Sequence, residues 1–113
     1  MSYGLVQEIG AKSALIDKAI GQLGARGRTF AQADHDYRVA LQKKILLERD
    51  KGTPVTIISD ICRGTPEIAK LRFERDVAEV MYDAAKEAIN GYKLQVRILD
   101  AQIEREWGRC NAQ

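Results

Sequence analysis

From Ile68 onward a single apolar seam runs almost to the end of the chain. It is made of Ile68, Leu71, Arg75, Ala78, Tyr82, Ala85, Ile89, Tyr92, Val96, Leu99, Ile103 and Glu106. The steps alternate three and four, which keeps every member on one side of an α-helix. A heptad seam of this length has no use in a sheet, where facing residues recur every second position. It predicts one long helix packed along its length. The start of that helix is marked as well. Gly64 can end whatever precedes it, Thr65 is a good N-cap, and Pro66 fits the first helical position, where its missing donor costs nothing. Glu67 then puts a negative charge in the first turn, where the helix dipole favours it. Asn90-Gly91 would mark a turn elsewhere, but the seam passes through it in phase, so the helix is read as continuous over 66–108.

The first part of the chain, 3–51, carries a matching stripe. Ile9, Ile16, Leu23, Phe30 and Tyr37 recur every seven residues, with Leu5, Ala19, Ile20, Ala33, Ala40 and Leu41 beside them. Two readings stay open here. The stripe keeps its phase and argues for one rod. Gly21, Gly24 and Gly27, followed by Thr29 and Gln32 in the spacing of a capping box, argue for a break at 25–29. Glycines at steps of three also share a helical face on which another backbone could approach closely.

Between the arms lies a connector, 52–65. Thr53-Pro54 reads as a cap with a first-turn proline, and Ile57, Ile58 and Ile61 share one side of a short helix that would plug the end of a hairpin. A strand over 55–58 is the alternative, because Val-Thr-Ile-Ile has high strand propensity. The expected fold is all-α: an elongated, coiled-coil-like antiparallel helical hairpin, forming a single helical domain over 1–113. At about 1.5 Å per residue the arms measure roughly 70 and 65 Å, so they can bury their stripes on each other. Matching their ends places Asp34 near Tyr82 and Leu41 near Arg75.

Composition supports helix and narrows function. Of 113 residues, 45% are hydrophobic, and glycine plus proline is too sparse for a linker or collagen-like chain. Eighteen basic against sixteen acidic residues leave a formal charge of +2, which excludes a strongly basic nucleic-acid module. No apolar run is long enough to span a membrane. The start shows no basic run followed by an apolar core, so no signal peptide is read. Cys62 and Cys110 suit free thiols in a reducing cytoplasm, because a small secreted domain usually carries more bridges.

Catalytic chemistry finds little to build on. His35 is the only histidine, and Asp34-His35-Asp36 fans around a helix without converging on a nucleophile. Two cysteines and one histidine lack the paired spacing of a zinc site, and no phosphate loop is present. No cofactor is expected. The carboxylates Asp76, Glu79, Asp83, Asp100 and Glu104 lie beside basic residues at ion-pair spacing. Arg75 is the odd member of its seam, because a charge there must be paired, must fix a register, or must carry its head to the edge. Tyr82 and Tyr92 read as packing residues. Trp107 reads either as a cap on the core or as an anchor for a protein partner.

Two basic groups are candidate partner or nucleic-acid contacts. Arg26 and Arg28 flank Gly27. Lys43, Lys44, Arg49, Lys51, Arg63, Lys70 and Arg72 would converge at the hairpin tip. Interleaved acids leave residues 43–76 an excess of only two positive charges.

The first reading is therefore a non-enzymatic, self-associating helical scaffold or adaptor that binds a protein partner. The alternative is an oligomeric nucleic-acid accessory protein that presents its basic tip to single-stranded DNA. The plan of two heptad rods joined by a capped turn looks like several small helical-hairpin proteins encoded by bacteriophages and prophages. That resemblance implies a role in phage replication, recombination, assembly or host takeover.

Overall fold

The computed structural model describes residues 2–111, with the side chains of Ser2, Cys110 and Asn111 excepted. The chain is all-α. Its three helices are α1 (Ser2–Asp50), α2 (Val55–Gly64) and α3 (Pro66–Asn111), a helical hairpin whose connector is itself a short helix.

Helix α1 runs unbroken through 25–29, and the side chains show why the capping box does not form. The Thr29 hydroxyl donates back to the Ala25 carbonyl at 3.1 Å, so it serves the helix it lies in. Gln32, the other half of the box, donates its amide to the Asp36 carboxylate at 2.8 Å instead.

Helix α1 ends in a Schellman motif. The Thr53 amide bonds the Glu48 carbonyl at 3.1 Å, and the Gly52 amide bonds the Arg49 carbonyl at 3.0 Å. The motif requires a left-handed residue, supplied by Gly52 at φ 83°. Thr53 does not cap α2. That helix begins after Pro54 with no side-chain cap, and the Thr53 hydroxyl turns back to Glu48. The connector is helical over its centre, and no strand forms at 55–58. Its buried residues are Ile58 and Cys62, four apart, while Ile57 and Ile61 stay exposed beside them. Thr65 breaks the path between α2 and α3. Its ψ of 132° is extended, as the residue before a proline prefers. Its hydroxyl donates to the Ile61 carbonyl at 3.0 Å, so it closes α2 and does not cap α3.

The chain's packing gathers into two compact units. One holds α1 up to Gly24 and α3 from Asp83. There Ala19, Ala85 and Ile89 are buried. Leu5, Ile9, Ile16, Leu23, Tyr92, Val96, Leu99 and Ile103 are half-buried, and Ile20 is exposed. The helical phase explains Ile20: it lies one residue past the buried Ala19, on the flank.

The other unit spans 25–82 and holds the hairpin turn. Tyr37, Ile58, Cys62, Ile68 and Ala78 are buried, with Phe30, Leu71 and Tyr82 half-buried around them. The helices here run antiparallel, in a register different from the end-matched one. Tyr82 meets Gly27 and Phe30, not Asp34, and Arg75 meets Asp34 and Tyr37, not Leu41. Continued back along α3, this register brings Pro66 level with positions 43–46 of α1. The last residues of α1 therefore run past the start of α3. The reason is the connector: a helix of ten residues needs length beside it that a tight turn would not.

Gly27 stands directly against the facing helix in this unit. A Cβ built there would lie 3.2 Å from Tyr82 Cε1, so the glycine makes room for the ring. Gly21 and Gly24 have nothing within 4 Å of a built Cβ and serve no such contact.

Candidate functional site

The unit at 25–82 holds three clusters of charged side chains. The first surrounds Arg75. Its guanidinium lies 4.6 Å over the Tyr37 ring, and its Nε and Nη2 donate to Asp76 Oδ1 at 3.1 and 2.9 Å. Nη1 stands 3.8 Å from Asp34 Oδ1. The seam position thus buries the aliphatic stem while the head reaches carboxylates at the edge. The Asp76 hydrogen bonds, with the charges of Asp76 and Asp34, hold the guanidinium above its ordinary pKa.

The second cluster is built on Glu48, which is buried at the end of α1. Its Oε2 accepts from the Thr53 hydroxyl at 2.8 Å, and its Oε1 stands 3.5 Å from Lys51 Nζ and 3.7 Å from Lys44 Nζ. The Thr53 hydrogen bond first, then the two lysine charges, hold the carboxyl below its ordinary pKa. This cluster takes two of the seven tip cations. Lys43, Arg49, Arg63, Lys70 and Arg72 are exposed, and Asp50, Asp60 and Glu67 are exposed among them.

The third cluster lies on the outer side of α1. His35 is exposed, with Nδ1 3.3 Å from Asp36 Oδ1. Hydrogen bonds from Gln32 and then His35 hold the Asp36 carboxyl below its ordinary value. The Cys62 thiol is fully buried and free, and the Cys110 side chain lies outside the described residues. Among the described residues no three histidine, cysteine or acidic side chains group to hold a metal ion, and no helix is long and apolar enough to cross a membrane.

A second apolar face of α3 lies outside the seam. Phe73, Val77, Val80 and Met81 of α3 are 68, 45, 66 and 45% exposed. Phe73 and Val80 sit about half a turn from the seam, with Val77 and Met81 on the flank between, and the four repeat its steps of four and three. Beside them a groove of about 370 Å³ opens between Phe73, Val77, Ala78 and Met81 of α3 and Arg26 and Thr29 of α1. Arg26 donates from Nη1 to the Met81 carbonyl at 3.1 Å, so it forms one end of the groove. Arg28, two residues on, is exposed. The spacing of 73, 77, 80 and 81 was the available signal for this face, but a search for the strongest seam assigns α3 only one. Trp107 is 65% exposed, so it does not cap the core of its own unit.

Comparison of the chain with protein-family models, with curated proteins and with solved structures finds no match.

Proposed function

We propose that this chain is a non-enzymatic helical scaffold that self-associates and offers the assembled surface to a protein partner. The observation that carries this reading is the Phe73–Met81 face. A helix that already packs one stripe against α1 leaves a second apolar stripe in water. The largest contiguous apolar patch on a protein surface is often an interaction site. The bacteriophage resemblance would place such an assembly in phage replication, recombination, assembly or host takeover.

The reading is tested by light scattering at micromolar concentration. A mass at least twice 12.6 kDa is the expected result, and 12.6 kDa across the range overturns self-association. The nucleic-acid alternative is weakened by the pairing of Lys44 and Lys51 with Glu48, which leaves fewer cations for phosphates. Fluorescence anisotropy with labelled single-stranded DNA at about 50 mM salt is expected to show weak or no binding. Tight binding that falls steeply with salt would overturn the scaffold reading in favour of the alternative.

A further inference from the structure

We infer that two copies pair through the Phe73–Val77–Val80–Met81 face of α3, antiparallel about a two-fold axis at Val77, which sets Glu74 of each copy against Arg26 of the other. This rests on the self-association proposed above and specifies its surface and symmetry.

The charges of the groove choose the occupant. Arg26 marks the Met81 end through its bond to the Met81 carbonyl. Glu74 lines the same groove seven residues back along α3, about 10 Å away. Glu74 has no ion-pair partner among the described residues. The groove is therefore cationic at one end and anionic at the other, with apolar side chains between. A second copy laid antiparallel presents the opposite order, so both ends find their complement at once. A parallel copy would stack Glu74 on Glu74 and is disfavoured. An isologous contact of this kind closes on itself and yields a dimer, not a filament.

The apolar part obeys the same symmetry. With Val77 on the axis, Phe73 of one copy falls opposite Met81 of the other, and Glu74 falls level with Val80. Phe73, 68% exposed on its own chain, then has a flexible Met81 side chain and a groove of about 370 Å³ to pack into. The four apolar side chains of the face, 45–68% exposed on the single chain, supply the surface that such a contact would bury.

The test uses the full chain with Cys110→Ser, leaving Cys62, which is fully buried. Val77→Cys in this background is expected to form a disulfide-linked dimer under mild oxidation, because a residue on the axis faces its own copy. Glu79→Cys, on the far side of α3, is the control and is expected to stay uncrosslinked. Phe73→Asp is expected to return the mass to 12.6 kDa with unchanged helical circular dichroism, because the position is already exposed. Glu74→Arg is expected to weaken the dimer at least tenfold, and adding Arg26→Glu is expected to restore it. A parent mass of 12.6 kDa removes both this interface and the self-association reading. A multimeric mass with no Val77→Cys crosslink, or with equal crosslinking from Glu79→Cys, overturns this interface and leaves that reading standing.

Discussion

The guanidinium of Arg75 lies 4.6 Å over the ring of Tyr37, across the antiparallel pair of helices in the 25–82 unit. This stacking lets the seam of α3 carry a cation at a position where its neighbours in phase are Leu71, Ala78 and Tyr82. The ring faces the delocalised charge, Asp76 accepts from Nε and Nη2, the Asp34 carboxylate stands 3.8 Å from Nη1, and the stem covers apolar surface. The contacts with Tyr37 and Asp34 depend on this register, so Arg75 helps to hold α1 and α3 in it. Arg75→Ala is expected to lower stability by about 1–2 kcal/mol, and Arg75→Met, which keeps the stem, by about half as much. Urea denaturation of the three proteins measures the difference, and equal losses would show that the stem contributes nothing.

Glu48 predicts an acid response. Its carboxyl is held below its ordinary value of 4.5, so folding favours the charged form. The resulting stability is fully present above the ordinary value and is lost as pH falls through the lower, folded value. Melting temperature should therefore drop less for Glu48→Gln than for the parent between pH 7 and about pH 3. Thr53→Ala, which removes the largest stabilising contact of the carboxylate, should shrink the parent's drop in the same direction. A parent and Glu48→Gln that lose equal ground on acidification would contradict this account.

Two glycines of α1 should respond differently to alanine. At Gly24 a Cβ meets nothing within 4 Å, so Gly24→Ala is expected to gain up to about 1 kcal/mol from helix propensity. At Gly27 the same gain is opposed by the Tyr82 ring at 3.2 Å, itself packed beside Phe30 at 6.1 Å between centroids. Gly27→Ala is expected to be neutral or destabilising. Thermal melts of the two variants decide it, and equal stabilisation would mean that Tyr82 moves aside freely.

Ile89 is 6% exposed in the unit that holds the end of α3. A carboxylate buried there would lose its hydration, so Ile89→Asp should cost about 3 kcal/mol or more. Circular dichroism should show lost helix at room temperature or a melting point lowered well beyond that of Phe73→Asp. If the two variants melt together, burial at the seam and exposure on the second face have been confused.

Cys62 should be silent in the folded chain. It is fully buried, and thiol reagents attack the exposed thiolate. In the Cys110→Ser background, labelling by a disulfide reagent is expected to be slow in buffer and immediate in denaturant. Rapid labelling of the native protein would show that α2 opens readily and would place the turn at the low end of local stability.

Much of this molecule was present in one dimension. The alternating three and four steps from Ile68 to Glu106 predicted α3, and Pro66 marks its first residue, because helix periodicity and a proline's missing donor are local properties. The stripe from Ile9 to Tyr37 predicted that α1 is helical. It left the question of a break to competing local signals, which the contacts made at that stretch decide. Thr29 bonds back to Ala25, and Tyr82 occupies the space above Gly27. Register lay further out of reach. End-matching treats the connector as a point, whereas α2 has length and buries Ile58 and Cys62, so the partners of Arg75 and Tyr82 shift along α1. The charged clusters follow the same rule. The sequence by itself determined which residues share a helix face, because that depends on neighbours three and four away. Which lysines Glu48 engages, and which carboxylate Arg75 reaches, only the tertiary structure decided, because those pairings depend on where the turn leaves each chain segment. The exposed Phe73–Met81 face joins both kinds: its spacing is local, but its exposure exists only because α1 covers the other side of α3.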